Sequence, residues 1–186
     1  MSTAGELAEQ LSWHWENQAR PRLEGLTDAE YFWEPVPGCW SLRPREEARA
    51  PVAAGVGRFV LEYAVPAPDP APVTTIAWRL CHLIVGVLGE RVGSHFGGEP
   101  ITYRSFDYPE TAEAALARLD GLYGQWIGAV SGLSGEELAR PVGPAEGPFA
   151  EYPMSTLVLH INREMIHHLA EVALLRDLYR DGPAKG

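Results

Sequence analysis

The segment LHINREMIHH, Leu159 to His168, concentrates three histidines, an arginine and a glutamate in ten residues. Imidazole and carboxylate are the ordinary donors for zinc and related divalent ions, so the first question is which of them share a face. On a helix at about 100° per residue, with His160 at 0°, Met154, Val158, Ile161, Met165, Leu169, Val172 and Tyr179 fall between about 100° and 180°, the core face. Arg163 and Asp177 lie near 260–300° on the solvent side, and His167 at about 340° belongs with them. Glu164 at about 40° and His168 at about 80° border the apolar stripe, with Leu157 and Leu175 near 60° above and below.

A carboxylate in that stripe needs a reason, because burying an isolated charge costs several kcal/mol or more. Glu164 must be paired, protonated or metal-bound. Glu164 and His168 are also i and i+4, the spacing that stacks two side chains on one face within reach of a single cation. A third donor should come from another buried helix, and AWRLCHLIVGV supplies His82 among Leu80, Leu83, Ile84 and Val85. Taken alone His82 reads as a hydrogen-bonded core histidine; beside a waiting Glu/His pair it becomes the third ligand. Two histidines and a carboxylate suit zinc first, with nickel or another divalent ion also admissible, and leave one position open.

His160 stands one turn before Glu164, Glu171 lies at about 20° on the same wheel, and Trp78 precedes His82 by one turn. These three read as outer partners or substrate contacts. Their plain alternatives are an exposed imidazole, a surface salt bridge and core packing. Other chemistries recede. Glu164-x-x-His167 spells half of a di-iron motif, but the second half is missing. There is no G-x-S-x-G, and GVGRFV lacks the third glycine of a dinucleotide fingerprint. Cys81 diverges from His82 by about 100° and reads as packing, as does Cys39. Trp13 and Trp15 read as core, His14 and His95 as structural. No residue is singled out as a catalytic acid, base or nucleophile.

The elements that must position these residues are mostly helical. A first helix is expected from Ala4 to Arg20, stopped by Pro21, and a short one at LTDAEYFWEP, where Thr27 and Glu30 form a capping box. A long connection rich in proline, glycine and alanine follows, with RFVLEYA as a short strand or extended arm. TTIAWRLCHLIVGVLGERVGSHFGG begins at a threonine cap, is apolar almost all round and ends at Gly97-Gly98. PETAEAALARLDGLYGQWIGAVSGL is the third long helix, with Pro109 in a helix-starting context. The fourth runs from near Pro153 to Gly182. Four long helices with little strand give an all-α four-helix bundle, with a long crossover between the first two long helices and room for a short β arm.

A chain of 186 residues suits one domain spanning residues 1–186. Its formal charge of −10, with Lys185 the only lysine, argues against a nucleic-acid partner. No basic and apolar leader opens the chain, and charges or histidine interrupt the longest apolar stretches. The expectation is therefore a protein that does not engage membranes, cytoplasmic by default, its two cysteines reduced.

Three segments, LTDAEYFWEPVPGCWSLRPR, TIAWRLCHLIVGVLGERVGSHFGG and LVLHINREMIHHLAEVALLRDLY, occur in the order seen in the DinB/YfiT-like superfamily of metalloenzymes, which the chain resembles over nearly its whole length. That resemblance implies an up-down-down-up bundle, often a homodimer, with a metal site at one end. Many members use a histidine from the second helix and an H-x-x-x-H pair from the fourth; the matching positions here are His82, Glu164 and His168. Glutamate in place of the first histidine of the pair is similar to the mycothiol-dependent maleylpyruvate isomerase branch, where His, Glu and His hold zinc. The resemblance further implies a low-molecular-weight thiol such as mycothiol as cosubstrate, in S-transfer or isomerisation of a small electrophile. A bundle that binds metal or a small ligand without catalysis stays open, as does one in which Glu164 pairs with an arginine and no metal is held.

Overall fold

In a computed structural model, which describes residues 2–182, the chain is mainly helical with a small three-stranded antiparallel sheet. Helix α1 (Thr3–His14) starts on the Ser2 side chain, which accepts from the Gly5 amide at 3.1 Å. It continues through a π-helical turn at Trp15–Ala19 into α2 (Arg20–Arg22). The helix thus runs past Pro21, where the sequence had suggested a stop. The continuous run closes at Arg22, one residue later, so the proline sits in its last turn. The capping box of α3 (Asp28–Tyr31) is formed as read, Thr27 and Glu30 satisfying each other's end amides.

The connection that follows is more ordered than its composition suggested. β1 (Leu42–Pro44) and β2 (Val52–Ala54) both pair antiparallel with the central β3 (Phe59–Tyr63), Leu42 and Ala54 standing opposite Leu61. Buried Glu62, 1% exposed, ties this sheet to its loops: its carboxylate accepts from the amides of Ser41, Arg49 and Ala50 and from Arg43 Nε. Proline, glycine and alanine signal turns, and they hide strands of three residues. Only RFVLEYA carried enough β-branched and aromatic character to be visible.

α4 (Ile76–His82) is capped by Thr75, passes into a π-helical segment at Leu83–Gly89 and resumes as α5 (Glu90–Phe96). Gly97, at φ +71°, ends it in the left-handed region that glycine tolerates, and the Gly98 amide closes back on the Val92 carbonyl. α6 (Ala112–Ser131) is capped by the Thr111 side chain rather than begun by Pro109, because the hydroxyl accepts from the Ala114 amide. After α7 (Gly135–Ala139), α8 (Met154–Asp181) is the longest element, entered at Pro153 and ended before Gly182. α1 packs on α6 and α8, and α4 with its π-helical continuation packs on the same two. Leu11, Leu80, Leu83, Ile84, Leu119, Trp126, Val158, Ile161 and Met165 are buried between them. Among the described residues, no helix is long and apolar enough to cross a membrane.

Candidate metal centre

The last residue of α4 and the middle of α8 meet where those two helices pack. One donor atom from each of His82, Glu164 and His168 lies within 4.8 Å of the others. The rings of His82 and His168 sit edge to face, centroids 4.8 Å apart.

His82 is fixed on several sides. Trp78, one turn earlier on α4, stacks on its ring at 5.3 Å and is itself held by its indole N–H, which donates to the Glu62 carbonyl at 2.6 Å. The Tyr103 hydroxyl sits 2.6 Å from His82 Nδ1. Room for that hydroxyl exists because residue 86 is glycine: a β-carbon there would come within 1.9 Å of the Tyr103 oxygen. Burial, with smaller contributions from His168, Arg79 and Arg91, pushes the His82 pKa down to about 3. The ring is neutral near pH 7 and offers a lone pair. The π-helical segment begins at the next residue, a distortion often found beside functional groups.

His168 has a 9% exposed side chain, and its Nδ1 lies 2.6 Å from Glu171 Oε2 and 3.3 Å from an Arg79 nitrogen. A carboxylate only accepts and a guanidinium only donates, so one nitrogen cannot serve both. The shorter contact assigns the proton to Nδ1, donated to Glu171, and Arg79 ion-pairs with Glu171 at 3.2 Å. Burial, against the pull of Glu171, holds the His168 pKa below the usual imidazole range, so Nε2 carries a bare lone pair. That lone pair lies 3.4 Å from Glu164 Oε2, another acceptor.

Glu164 is 26% exposed and receives no hydrogen bond from any described residue; its other neighbours are His160 Nδ1 at 3.5 Å and Arg163 Nε at 3.8 Å. His160 Nδ1 accepts from Arg163 at 2.7 Å, so it has no proton there to give. Two ligands each ~2.05 Å from a tetrahedral zinc stand ~3.3 Å apart, close to the 3.4 Å edge between His168 and Glu164. The donor types and that edge therefore fit a divalent cation, with His82 as the third donor within 4.8 Å. A second His/Glu grouping, His167, His168 and Glu171, reuses the edge already closed by a hydrogen bond, and the His167 side chain is 61% exposed.

The other residues singled out in the sequence fall variously. Glu171 touches His168 directly, and Trp78 walls His82. His160, 42% exposed, borders Glu164 and a cavity beyond it. Trp13 is 52% exposed and not core, whereas Trp15 is buried against Tyr123. Cys81 is buried with its thiol pushed up to about 12, as fits packing. Tyr103, Arg79 and Gly86 were missed. Arg79 had left a signal, a charge three residues before His82 on an otherwise apolar helix; Tyr103 reaches the site from a loop distant in sequence.

The DinB superfamily model matches residues 10–172, and the chain belongs to that superfamily. No curated protein and no solved structure matches it.

Proposed function

We propose that the chain is a metal-dependent enzyme in which His82, Glu164 and His168 hold a divalent ion, zinc before nickel. One observation carries this reading: His168 Nε2 and a Glu164 oxygen stand 3.4 Å apart, and with the His168 proton given to Glu171 from Nδ1 no donor joins them. Two acceptors so placed repel unless a cation or proton joins them. The alternative in which an arginine satisfies Glu164 has only Arg163, 70% exposed and 3.8 Å away. Glu171 fixes the His168 tautomer, and Arg79 fixes Glu171 in turn. Tyr103 and Trp78 set the plane and tilt of His82.

A divalent ion held there would supply Lewis acidity, favouring the thiolate of a bound low-molecular-weight thiol at neutral pH. The reaction class is S-transfer to, or thiol-assisted isomerisation of, a small electrophile, with mycothiol as the thiol the family resemblance suggests. The whole chain acts as one domain, an up-down-down-up four-helix bundle with the sheet set in its first crossover, and works as a homodimer in a reducing cytoplasm that keeps Cys39 and Cys81 as thiols. Neither nucleic acid nor membrane enters this reading. A second reading, a bundle that binds metal without catalysis, shares the site and parts from the first at the assay. Purified protein is incubated with mycothiol and a panel of electrophiles. Loss of free thiol that depends on metal and vanishes in His82→Ala supports the enzyme; metal bound tightly with no thiol consumption supports the binding protein.

A further inference from the structure

Beyond Glu164 a cavity of about 460 Å³ opens between α5, the loop before α8, and α8 itself. Its volume is that of a small-molecule site. Its walls have two characters. Phe149, Tyr152 and Leu159 present apolar surface with 61%, 51% and 55% of each residue exposed, and the two rings meet edge to face at 5.9 Å. Large apolar side chains left this open, side by side, mark a surface that something covers.

Cationic and polar groups face them. Arg91 lines the cavity, and its charge reaches His82, where it helps depress the imidazole pKa. Arg91 is already matched, by Glu146 at 3.0 Å and Glu90 at 3.0 Å. Arg163 is not. Its sole hydrogen bond among the described residues goes to the neutral nitrogen of His160, and Glu164 at 3.8 Å lies beyond hydrogen-bond reach. Arg163 therefore carries free donors in a planar fork at the mouth of an apolar cavity, the geometry that recognises a carboxylate by two parallel hydrogen bonds. His160 bridges the two places: it lines the cavity and stands 3.5 Å from Glu164.

We propose that this cavity receives the electrophilic substrate and that the substrate is a small carboxylate with a flat aromatic body. The ring lies against Phe149, Tyr152 and Leu159, the carboxylate is taken by Arg163, and the remainder of the molecule points past His160 toward His82, Glu164 and His168. The inference deepens the proposed function and rests on it for the chemistry, while the binding step stands by itself.

The test uses the purified full chain and two probes of one shape, naphthalene-2-carboxylate and naphthalene-2-carboxamide, titrated by calorimetry with metal content measured on the same samples. The carboxylate should bind about tenfold tighter than the amide, the scale of a charge-assisted bidentate contact. Arg163→Gln should bring the two affinities together without changing metal content, and Phe149→Ala should weaken both probes alike. Equal affinities in the wild type, or a preference that survives Arg163→Gln, overturn the proposal. A protein without metal that still prefers the carboxylate contradicts the metal reading and leaves the cavity standing; a protein with metal and no preference does the reverse.

Discussion

Two acidic side chains drawn out of bulk water, Glu62 and Glu164, meet opposite treatment. Glu62, on β3, is 1% exposed and saturated from within: three backbone amides and the Arg43 guanidinium donate to its two oxygens. Glu164, on α8, is partly buried and its carboxylate receives no hydrogen bond from any described residue, while His168 Nε2 lies 3.4 Å from it. A carboxylate satisfied by its own chain is part of the scaffold. One flanked by two imidazole nitrogens, with Arg163 beyond hydrogen-bond reach, is where the proposed cation would sit. The same molecule thus shows what a structural acid looks like and how far Glu164 departs from it.

The contrast can be sharpened by breaking each side. The largest effect on the fold is expected at the structural acid: Glu62→Ala leaves Arg43 buried with a single anionic partner, Glu34, and strips amides of their acceptor. Loss of one member of a buried pair costs about 3–5 kcal/mol, which urea unfolding should register as a large drop in midpoint. The corresponding change at Glu164 should leave the metal-free protein as stable as the wild type or more so, because it removes a repulsion.

A smaller effect is expected one step out from the site. Tyr103→Phe removes the hydroxyl that holds His82 Nδ1, and Gly86→Ala drives the same ring away. Each should weaken metal affinity about 10–100-fold, read by competition with a chromogenic chelator, while the fold persists. Unchanged affinity in both would detach Tyr103 from the site.

Acid should act through the same imidazole. The folded His82 pKa, about 3, lies below its ordinary value, so the unfolded chain takes up this proton first as pH falls. Stability of the metal-free protein is then full above the ordinary imidazole pKa and lost progressively below it, down toward pH 3. In His82→Phe that part of the slope should flatten. The least effect belongs to His167, with its 61% exposed side chain: His167→Ala should shift stability by no more than ~0.5 kcal/mol and leave metal affinity within about twofold. A loss there equal to that in His82→Ala would mean that the metal-binding face of α8 includes His167.

Much of this arrangement was legible in the residues alone, and the reason is periodicity. α8 repeats its apolar positions closely enough that the wheel separates His168, buried, from His167, exposed, although they are adjacent. His82 was visible because an ionisable group among leucines and valines has few explanations. The three-stranded sheet was largely hidden, because strands of three residues carry too little alternation to register. The π-helical stretch at Leu83–Gly89 left no mark, since its apolar residues fit a regular helix equally well. Tyr103 and the Arg163 cavity depend on loops brought together by folding. No local pattern reports such an encounter.

The most direct test is elemental analysis of the purified protein beside Glu164→Gln, after both are equilibrated with zinc and freed of excess. The account predicts about one zinc per wild-type chain and less than a tenth of that in the variant, with both folded. Wild-type protein that retains no metal, or a variant that retains as much as the wild type, would contradict it.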